Sequence, residues 1–329
     1  MIKLNTNENP YPPHESVVSI MKDIEREAYR LYPDPTCSAL VDALAHCYKR
    51  SKEEVFVGVG SDDVLAMAFL TFFNGDKPIL FPDITYSFYE VWAGLFQIPF
   101  ETQPLDENFR IRKEDYEKEN GGIVIANPNA PTGICENIDF LEDILKMNQD
   151  SIVIVDEAYI DFGGVSAVSL IDRYDNLLVV QTFSKSRALA GMRIGFCMGN
   201  SKLIKALNNV KYAYNSYTLN QVSLLCGAES VRQKEYFHDT LGKIVKTREN
   251  TAKELKSLGF HFPDSKTNFI FATHEKLKAI DLYQMYRKEH IYVRHFNLPR
   301  IDNYLRITIG TDEEMEKFLD CTRKYLVLN

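Results

Sequence analysis

The chain has 329 residues, of which 45% are hydrophobic and 26% are charged. These values are ordinary for a soluble globular protein, and the length allows one large domain and a smaller one around a sizeable core. A formal net charge of −8 at pH 7 argues mildly against a surface that binds nucleic acid or an anionic membrane. The charge is compatible with a local basic pocket for a small anion.

Cysteine usage and the first residues bear on the compartment. The six cysteines are far apart, at positions 37, 47, 135, 197, 226 and 321, and none belongs to a Cys-x-x-Cys pair. This spacing favours neither a zinc site nor a disulfide framework, and it fits a reducing cytoplasm. The polar start, MIKLNTNENPYPP, is not expected to be a signal peptide, and no apolar run approaches the ~20 residues of a transmembrane helix.

Predicted strands and helices alternate through the first 200 residues. Short runs of β-branched or aromatic residues predict strands at 55–59, 78–81, 122–126, 152–155, 177–183 and 194–198. Helical patterns fall between several of them, at 62–73, 86–96 and 138–147. This alternation predicts a mainly parallel sheet with helices on both faces.

The pattern changes after about residue 200. Long charged amphipathic stretches at 235–258 and 276–289 predict helices, and strand-like pieces occur at 268–272, 291–295 and 304–309. These features predict a second, α+β domain. No internal repeat, low-complexity segment or proline- and glycine-rich linker marks a boundary between the two domains.

A lysine ends one of the predicted strands, in the segment QTFSK at 181–185. A lysine in that position is usually a surface charge. Here Ser184 precedes Lys185 and Arg193 follows eight residues later, and both can bind a phosphate. Because a lysine amine held among cations forms imines readily, the segment predicts covalent attachment of a phosphate-bearing cofactor.

A carboxylate ends another predicted strand, in SIVIVDEAY at 151–159. Such an aspartate is commonly a helix cap or a solvated strand end, since a buried carboxylate is costly without a positive partner. In pyridoxal-phosphate enzymes that partner is the pyridine nitrogen, which an aspartate keeps protonated. With Tyr159 three residues later and Lys185 one strand further along, Asp156 is better explained by such a site.

Two loops complete the pattern. ANPNAPTG at 126–133 follows an apolar strand, and its two prolines predict either a plain turn or a rigid loop with a cis Ala130–Pro131 bond. Such a loop can hold an asparagine against a flat ring. FVGVGSDD at 56–63 places free backbone N–H groups at the start of a predicted helix, which suits a phosphate, although Ser-Asp is also an ordinary helix cap.

Taken in order, the motifs GSDD, TYSFY, NPNAPTG, DEAY, TFSKxxxLAGMRIG and LRITIG closely resemble those of fold-type I aminotransferases. The resemblance extends from LNTNENP at 4–10 nearly to the end of the chain. It implies an α/β fold with a mainly parallel seven-stranded sheet in a large domain at 31–230 and a small α+β domain at 231–329. Residues 1–30 would contribute to the small domain and to dimer contacts, and the cofactor would be pyridoxal 5′-phosphate.

The resemblance implies catalytic roles for three residues. Lys185 would form an imine with the cofactor and then move a proton between the substrate Cα and the cofactor C4′. Asp156 would pair with the protonated pyridine nitrogen. Tyr159 would donate a hydrogen bond to the 3′-oxygen of the ring.

Further contacts implied by the resemblance surround the cofactor's phosphate and ring. Ser184 and Arg193 would hold the phosphate together with the backbone and side chains of Ser61 and Asp62. Tyr86 would stack on the pyridine ring. No metal ion is expected in the site.

Other residues carried over from the family concern the partner subunit and the substrate. Tyr32 would reach the cofactor phosphate of a second subunit, which implies a homodimer with shared active sites. Arg306 in LRI and Arg294 in YVRH would bind the substrate anion, with Asn7 and Asn268 nearby. The simpler explanations are a surface ion pair for Arg306 and an acidic neighbour, such as residue 289, for Arg294.

Within the family, the chain is most similar to the histidinol-phosphate aminotransferases. This implies amino transfer from L-histidinol phosphate to 2-oxoglutarate in histidine biosynthesis, giving imidazole acetol phosphate and L-glutamate. Glutamate brings a carboxylate to the arginines and histidinol phosphate brings a phosphate, so that one arginine pair can bind each in turn. The expected partners are therefore small molecules and a second subunit, with neither nucleic acid nor a membrane.

Three features depart from the family pattern. The asparagine usually found directly before Pro-Thr-Gly is Ala130, so the contact to the ring oxygen would depend on Tyr159, helped by Asn127 or by Asn129, which we include among the cofactor-binding residues. The segment FPDIT before Tyr86 is longer by one residue than the common form. The family's N-terminal arm, which often adds an aromatic residue to the substrate pocket, is expected to be missing.

Alternative functions share much of the same site. A lyase of the threonine-phosphate decarboxylase kind uses the same set of lysine, aspartate, tyrosine and arginine, and it would release CO2 instead of transferring an amino group. A broad aromatic aminotransferase would need no phosphate on its substrate. A pyridoxal-phosphate-binding domain of a regulator is disfavoured, because no DNA-binding segment is attached and the lysine is present.

Overall fold

The computed structural model describes residues 1–328. Its strands are β1 (Ile2–Lys3), β2 (Val55–Gly58), β3 (Ile79–Pro82), β4 (Phe100–Gln103), β5 (Gly122–Ala126), β6 (Val153–Asp156), β7 (Leu177–Thr182), β8 (Gly195–Gly199), β9 (Phe260–His261), β10 (Phe269–His274), β11 (Ile291–Tyr292), β12 (Arg294–His295) and β13 (Leu305–Thr308). Its α-helices are α1 (Glu15–Asp23), α2 (Ser38–Tyr48), α3 (Ser61–Phe72), α4 (Phe88–Leu95), α5 (Ile138–Met147), α6 (Ser201–Tyr214), α7 (Gln221–Arg232), α8 (Lys234–Ser257), α9 (Ala279–Lys288) and α10 (Asp312–Leu328).

A seven-stranded sheet, ordered β2-β8-β7-β6-β5-β3-β4, forms the larger part of the fold. Strands β3 to β7 run parallel to one another, and β8 is antiparallel to both β7 and β2. The prediction of a mainly parallel sheet is therefore confirmed. The sequence patterns did not predict β4. Its first two residues are exposed at the sheet edge, so the strand has no continuous run of apolar residues.

Both faces of this sheet are covered, which explains why its central strands are apolar throughout. Side chains of successive strand residues point to opposite faces. Val153 and Val155 join the core that includes α2, α5 and α7, whereas Ile154 joins the core that includes α3, α4 and α6. The predicted arrangement with helices on both sides is confirmed.

The smaller, C-terminal part contains the antiparallel sheet β12-β13-β10-β9 with its own core. The first strand of the chain joins this part, since β1 pairs with β11. The Leu4 backbone N–H donates to Tyr292, and the Leu4 carbonyl accepts from the Thr308 N–H. A further apolar cluster, which includes Leu105 and Phe271, packs the two parts together. The domain limits at residues 31 and 231 remain predictions.

The direction of β8 determines which residues lie at the edge of the large sheet where the parallel strands end, here called the functional edge. The carboxyl ends of the parallel strands meet at one edge, and an antiparallel strand brings its amino end to that edge. Gly195 at the start of β8 pairs with Thr182 at the end of β7 and with Gly58 at the end of β2. Within residues 1–328, no helix has both the length and the apolar character needed to cross a membrane.

Candidate active site

A cavity of about 1060 Å³ lies between the functional edge of the large sheet and the C-terminal part. This volume is sufficient for a cofactor together with a small substrate. Its lining includes most of the residues expected from the sequence, namely Asn7, Ser61, Asp62, Tyr86, Asp156, Tyr159, Ser184, Lys185, Arg193, Arg294 and Arg306. Segments more than 290 residues apart in the chain therefore contribute to one site.

Lys185 lines this cavity, three residues after the end of β7. Its Nζ donates to the backbone oxygen of Thr6 at 3.2 Å and lies 5.8 Å from the centroid of the Tyr159 ring. Within the described residues no carboxylate forms a hydrogen bond with Lys185, so its single carbonyl partner is easily exchanged. The amine is available for covalent chemistry with a carbonyl compound in the cavity.

Asp156 ends β6 and is only 5% exposed. Burial raises the pKa of its carboxyl to about 6, although hydrogen bonds from the Tyr89 hydroxyl at 2.7 Å and the Ala158 amide at 3.2 Å oppose that rise. Because no basic side chain bonds to this carboxylate in the described structure, it fits a ligand that brings its own positive N–H. Sequence reasoning missed Tyr89, which lies in the first turn of α4, three residues after Tyr86.

An anion cradle lies at the start of α3. Gly60 has a φ of 86°, and Gly195 approaches so closely that a Cβ there would lie 2.2 Å from the Gly60 carbonyl carbon and 2.3 Å from the Ser61 nitrogen. Ser61 at the start of α3, Ser184 and Arg193 all line the cavity. Amide, hydroxyl and guanidinium donors of this kind suit a phosphate.

The structure gives Asp62 a narrower role than the sequence suggested. Its carboxylate accepts hydrogen bonds from the Tyr86 hydroxyl at 2.8 Å and from Arg193 at 3.3 Å. A carboxylate cannot donate to a phosphate, so Asp62 can contribute only its backbone N–H there. Its side chain instead orients Tyr86 and Arg193, and burial beside this carboxylate holds the pKa of Tyr86 well above its ordinary value.

In the loop at 126–133 the Ala130–Pro131 bond is cis, as expected, and the Asn127–Pro128 bond is cis as well. Neither asparagine considered as a substitute at Ala130 is among the cavity-lining residues. The Asn127 amide bonds the backbone of Glu136, whereas that of Asn129 donates to Ile84 and accepts from Thr85. The Asn129 side chain is engaged in holding the loop, and its contact with a cofactor stays a prediction.

Asn7 takes part in the site through Tyr159. Its side-chain amide donates to the Tyr159 hydroxyl at 2.9 Å, and its oxygen accepts from Thr308 at 3.0 Å. Asn268 does not line the cavity, and its amide supports the Asn7 carbonyl at 3.0 Å. With Asn7 donating to it, the Tyr159 hydroxyl keeps its own proton available for an acceptor inside the cavity.

Arg294 and Arg306 are directly opposite each other on the paired strands β12 and β13. Burial, together with the like charge of Arg294, lowers the pKa of Arg306, whose Nε has no hydrogen-bond partner in the described structure. No ion pair between Arg294 and Glu289 is present among residues 1–328. Two adjacent guanidinium groups with a free buried donor fit an anion of more than one charge.

Tyr32 lies outside this cavity. It is 81% exposed and stacks on Tyr217, with ring centroids 4.5 Å apart. This position is compatible with the expected contact to a second subunit, which remains a prediction. Sequence reasoning also missed the loop 296–301, which lines the cavity opposite the sheet; its residues carry no motif.

A known protein family matches almost the whole sequence. The model of the family "Aminotransferase class I and II" matches residues 1–321. A histidinol-phosphate aminotransferase of Clostridium botulinum (strain Okra / Type B1) is 50% identical over 326 residues, which cover 99% of this chain and 92% of that protein.

Solved structures show the same fold. The histidinol-phosphate aminotransferase of Clostridium acetobutylicum superposes with a TM-score of 0.90 at 23% identity, covering 100% of both chains. The histidinol-phosphate aminotransferase of Sinorhizobium meliloti, solved in complex with pyridoxal-5′-phosphate, gives a TM-score of 0.89 at 19% identity, covering 98% of this chain and 91% of that one. The chain is an enzyme that belongs to the aminotransferase class I and II family.

Proposed function

We propose that the chain uses pyridoxal phosphate to transfer the amino group of L-histidinol phosphate to 2-oxoglutarate, as a step of histidine biosynthesis. The observation that carries this proposal is the cross-strand pair Arg294 and Arg306, which faces the same cavity as Lys185 and Asp156. The name of the relative that is 50% identical supports the same substrate. When bound, the cofactor supplies an aromatic ring that accepts electrons from the substrate Cα.

The residues of the cavity fit this cofactor. The cradle at the start of α3 accommodates a phosphate only because Gly195 lacks a Cβ, and Ser184 and Arg193 add donors to it. Asp156 lacks a basic partner and matches a pyridine N–H. Tyr86 and Tyr159 also line the cavity, where a ring face and a hydroxyl are needed for the pyridine ring and its oxygen.

The chain's own residues would then act as follows. The amine of Lys185 would hold the cofactor covalently, and as a free amine it would carry the proton that leaves the substrate Cα. Asp156 holds the proton on the pyridine nitrogen, since a positive partner reverses the effect of burial on its pKa. Tyr159, oriented by Asn7, donates to the ring oxygen.

The arginine pair would select the substrate. A phosphate ester carries nearly two negative charges near neutral pH and three acceptor oxygens, whereas glutamate presents one carboxylate. Arg306 can bind either anion, and Arg294 adds a second guanidinium that a dianion uses more fully. The two substrates can therefore occupy the same site in turn.

Half-reactions with the purified enzyme test this function. Histidinol phosphate, phenylalanine and threonine phosphate are offered in turn, and the absorbance change from the aldehyde to the amine form of the cofactor is followed by stopped flow. The proposal expects the highest kcat/KM with histidinol phosphate. CO2 release from threonine phosphate, or a preference for phenylalanine, would replace it with the lyase or the aromatic aminotransferase.

Removing one guanidinium provides a sharper test of the substrate. Arg294→Ala should lower kcat/KM for histidinol phosphate by about ten- to a hundredfold, the usual effect of a lost charge-assisted hydrogen bond, and should lower that for glutamate less. Both half-reactions are measured on the same preparation. Equal losses for the two substrates would remove Arg294 from the phosphate site.

We also propose a cytoplasmic homodimer. All six cysteines are free thiols, which is compatible with a reducing compartment. Large apolar side chains are exposed around the segment that precedes α2, where Tyr29, Leu31 and Tyr32 are 61%, 58% and 81% exposed. A second subunit that covers these side chains would also place Tyr32 beside the cavity of that second subunit.

A further inference from the structure

Arg300 joins the hairpin loop of the C-terminal part to the seven-stranded sheet. It lies between β12 and β13, in the loop that connects Arg294 to Arg306. Its guanidinium donates to Asp83 Oδ2 at 3.1 Å and to the backbone oxygens of Leu105 and Asp106 at 2.9 and 2.7 Å. One side chain thus makes three hydrogen bonds to the opposite part of the molecule.

The receiving side is arranged around the same carboxylate. Asp83 directly follows β3, and its Oδ1 accepts the backbone N–H of Leu105 at 3.0 Å while Oδ2 accepts Arg300. The guanidinium also lies 5.7 Å from the centroid of the Phe109 ring. Asp83 belongs to the segment FPDIT, which is longer by one residue than the common family form and had no explanation from the sequence.

The contact connects two walls of the cavity, since Asp83 and Arg300 both line it. On one side, Asp83 is three residues before Tyr86. On the other, Arg300 is six residues after Arg294 and six residues before Arg306. The distance between the ring-facing wall and the arginine pair therefore depends on where this loop is held.

We propose that Arg300 and Asp83 form a latch that holds the β12–β13 hairpin over the cavity and so positions Arg294 and Arg306 for the substrate anion. Arg300 is a positioning residue in this account, and the inference rests on the proposed function of the arginine pair. The side chains of Arg300 and Asp83 are 37% and 29% exposed, so their ion pair contributes little to global stability. Its effect is local, on the hairpin alone.

A direct role for Arg300 is the competing explanation, because its side chain lines the cavity. Asp83→Asn separates the two. If Arg300 acts as a latch, the loss of the Asp83 charge loosens the hairpin and weakens substrate binding, and Arg300→Met does so more strongly. If Arg300 itself binds the phosphate, Asp83→Asn frees its guanidinium and leaves binding unchanged or tighter.

The test uses the holoenzyme in four forms: wild type, Asp83→Asn, Arg300→Met and the double variant. We expect KM for histidinol phosphate to rise about tenfold in Arg300→Met, which loses all three hydrogen bonds, and by a smaller factor in Asp83→Asn, which leaves the bonds to Leu105 and Asp106 in place. The double variant should show no further rise over Arg300→Met, since the Asp83 charge acts through Arg300. Hydrogen–deuterium exchange without substrate should become faster in peptides that cover 294–304 in all three. Arg173→Met, which breaks an exposed ion pair with Glu142 away from the cavity, is the control that leaves both readouts unchanged.

Unaltered exchange in both single variants overturns the latch, whatever the kinetics. So does a higher KM for Arg300→Met with an unchanged KM for Asp83→Asn, which assigns Arg300 to the substrate. If the wild type does not react with histidinol phosphate, the proposed function fails. The exchange measurement still decides the latch in that case.

Discussion

The pKa of the buried Asp156 carboxyl depends on whether a ligand in the cavity supplies a positive charge. Burial raises the pKa of this carboxyl to about 6, and no basic side chain among residues 1–328 bonds to it. The neighbouring Glu157 is also buried, and burial raises its pKa to about 7, but it accepts hydrogen bonds from Ser166, Ala167 and Gln181 within the fold. Of these two adjacent carboxylates, only Asp156 lines the cavity.

Replacing Asp156 should therefore separate cofactor binding from turnover. Asp156→Asn should still bind pyridoxal phosphate through Lys185 and lose kcat by about a hundred- to a thousandfold, by analogy with other single electrostatic groups worth ~2.7–4 kcal/mol. Single-turnover absorbance and borohydride reduction measure the two properties. Glu157→Gln is the matched control, expected to alter stability without altering the cofactor spectrum. Near-normal transamination by Asp156→Asn would exclude this carboxylate from the chemistry.

The contact between β8 and α3 is the clearest constraint at the level of elements. Gly195→Ala places a methyl group within 2.3 Å of backbone atoms of Gly60 and Ser61, which cannot move aside as a flexible side chain can. We expect the start of α3 to shift, the free energy of unfolding to fall by about 1–3 kcal/mol, and the Kd for pyridoxal phosphate to rise at least tenfold. Thermal unfolding and cofactor titration measure these effects. Gly191→Ala, where a Cβ meets no atom within 4 Å, should change neither, and an unchanged Kd for Gly195→Ala would contradict the cradle.

The sequence was informative about elements wherever periodicity is strong, and less so about contacts between them. The limits of α5 matched the predicted helix at 138–147, because its apolar residues recur at helical spacing. The edge strand β4 was missed, since its side chains are largely exposed. Most motif residues line the cavity, as predicted. The partners of Asn129 and Arg300 could not be predicted, because they lie on loops that only the tertiary fold brings together.

At the level of the whole molecule, the proposed dimer makes a prediction about shared sites. If Tyr32 serves the partner's cavity, mixing Tyr32→Ala with Lys185→Ala subunits should restore activity to about a quarter of wild type. Random pairing makes half of the dimers mixed, and each mixed dimer has one complete site of two. Subunit exchange followed by activity assay and light scattering measures this. Activity no higher than the sum of the two unmixed variants would assign Tyr32 to its own subunit.

The pairing of β1 with β11 has a consequence for how the protein is made. Ribosomes release the amino end first, and contacts between distant residues form late because the intervening loop must be closed. Ile2 pairs with Ile291, and Asn7 bonds Thr308, which is 301 residues away. The nascent chain therefore carries its first strand unpaired through most of translation. The wall that Asn7 contributes beside Tyr159 can form only when the last helix, α10, is about to emerge.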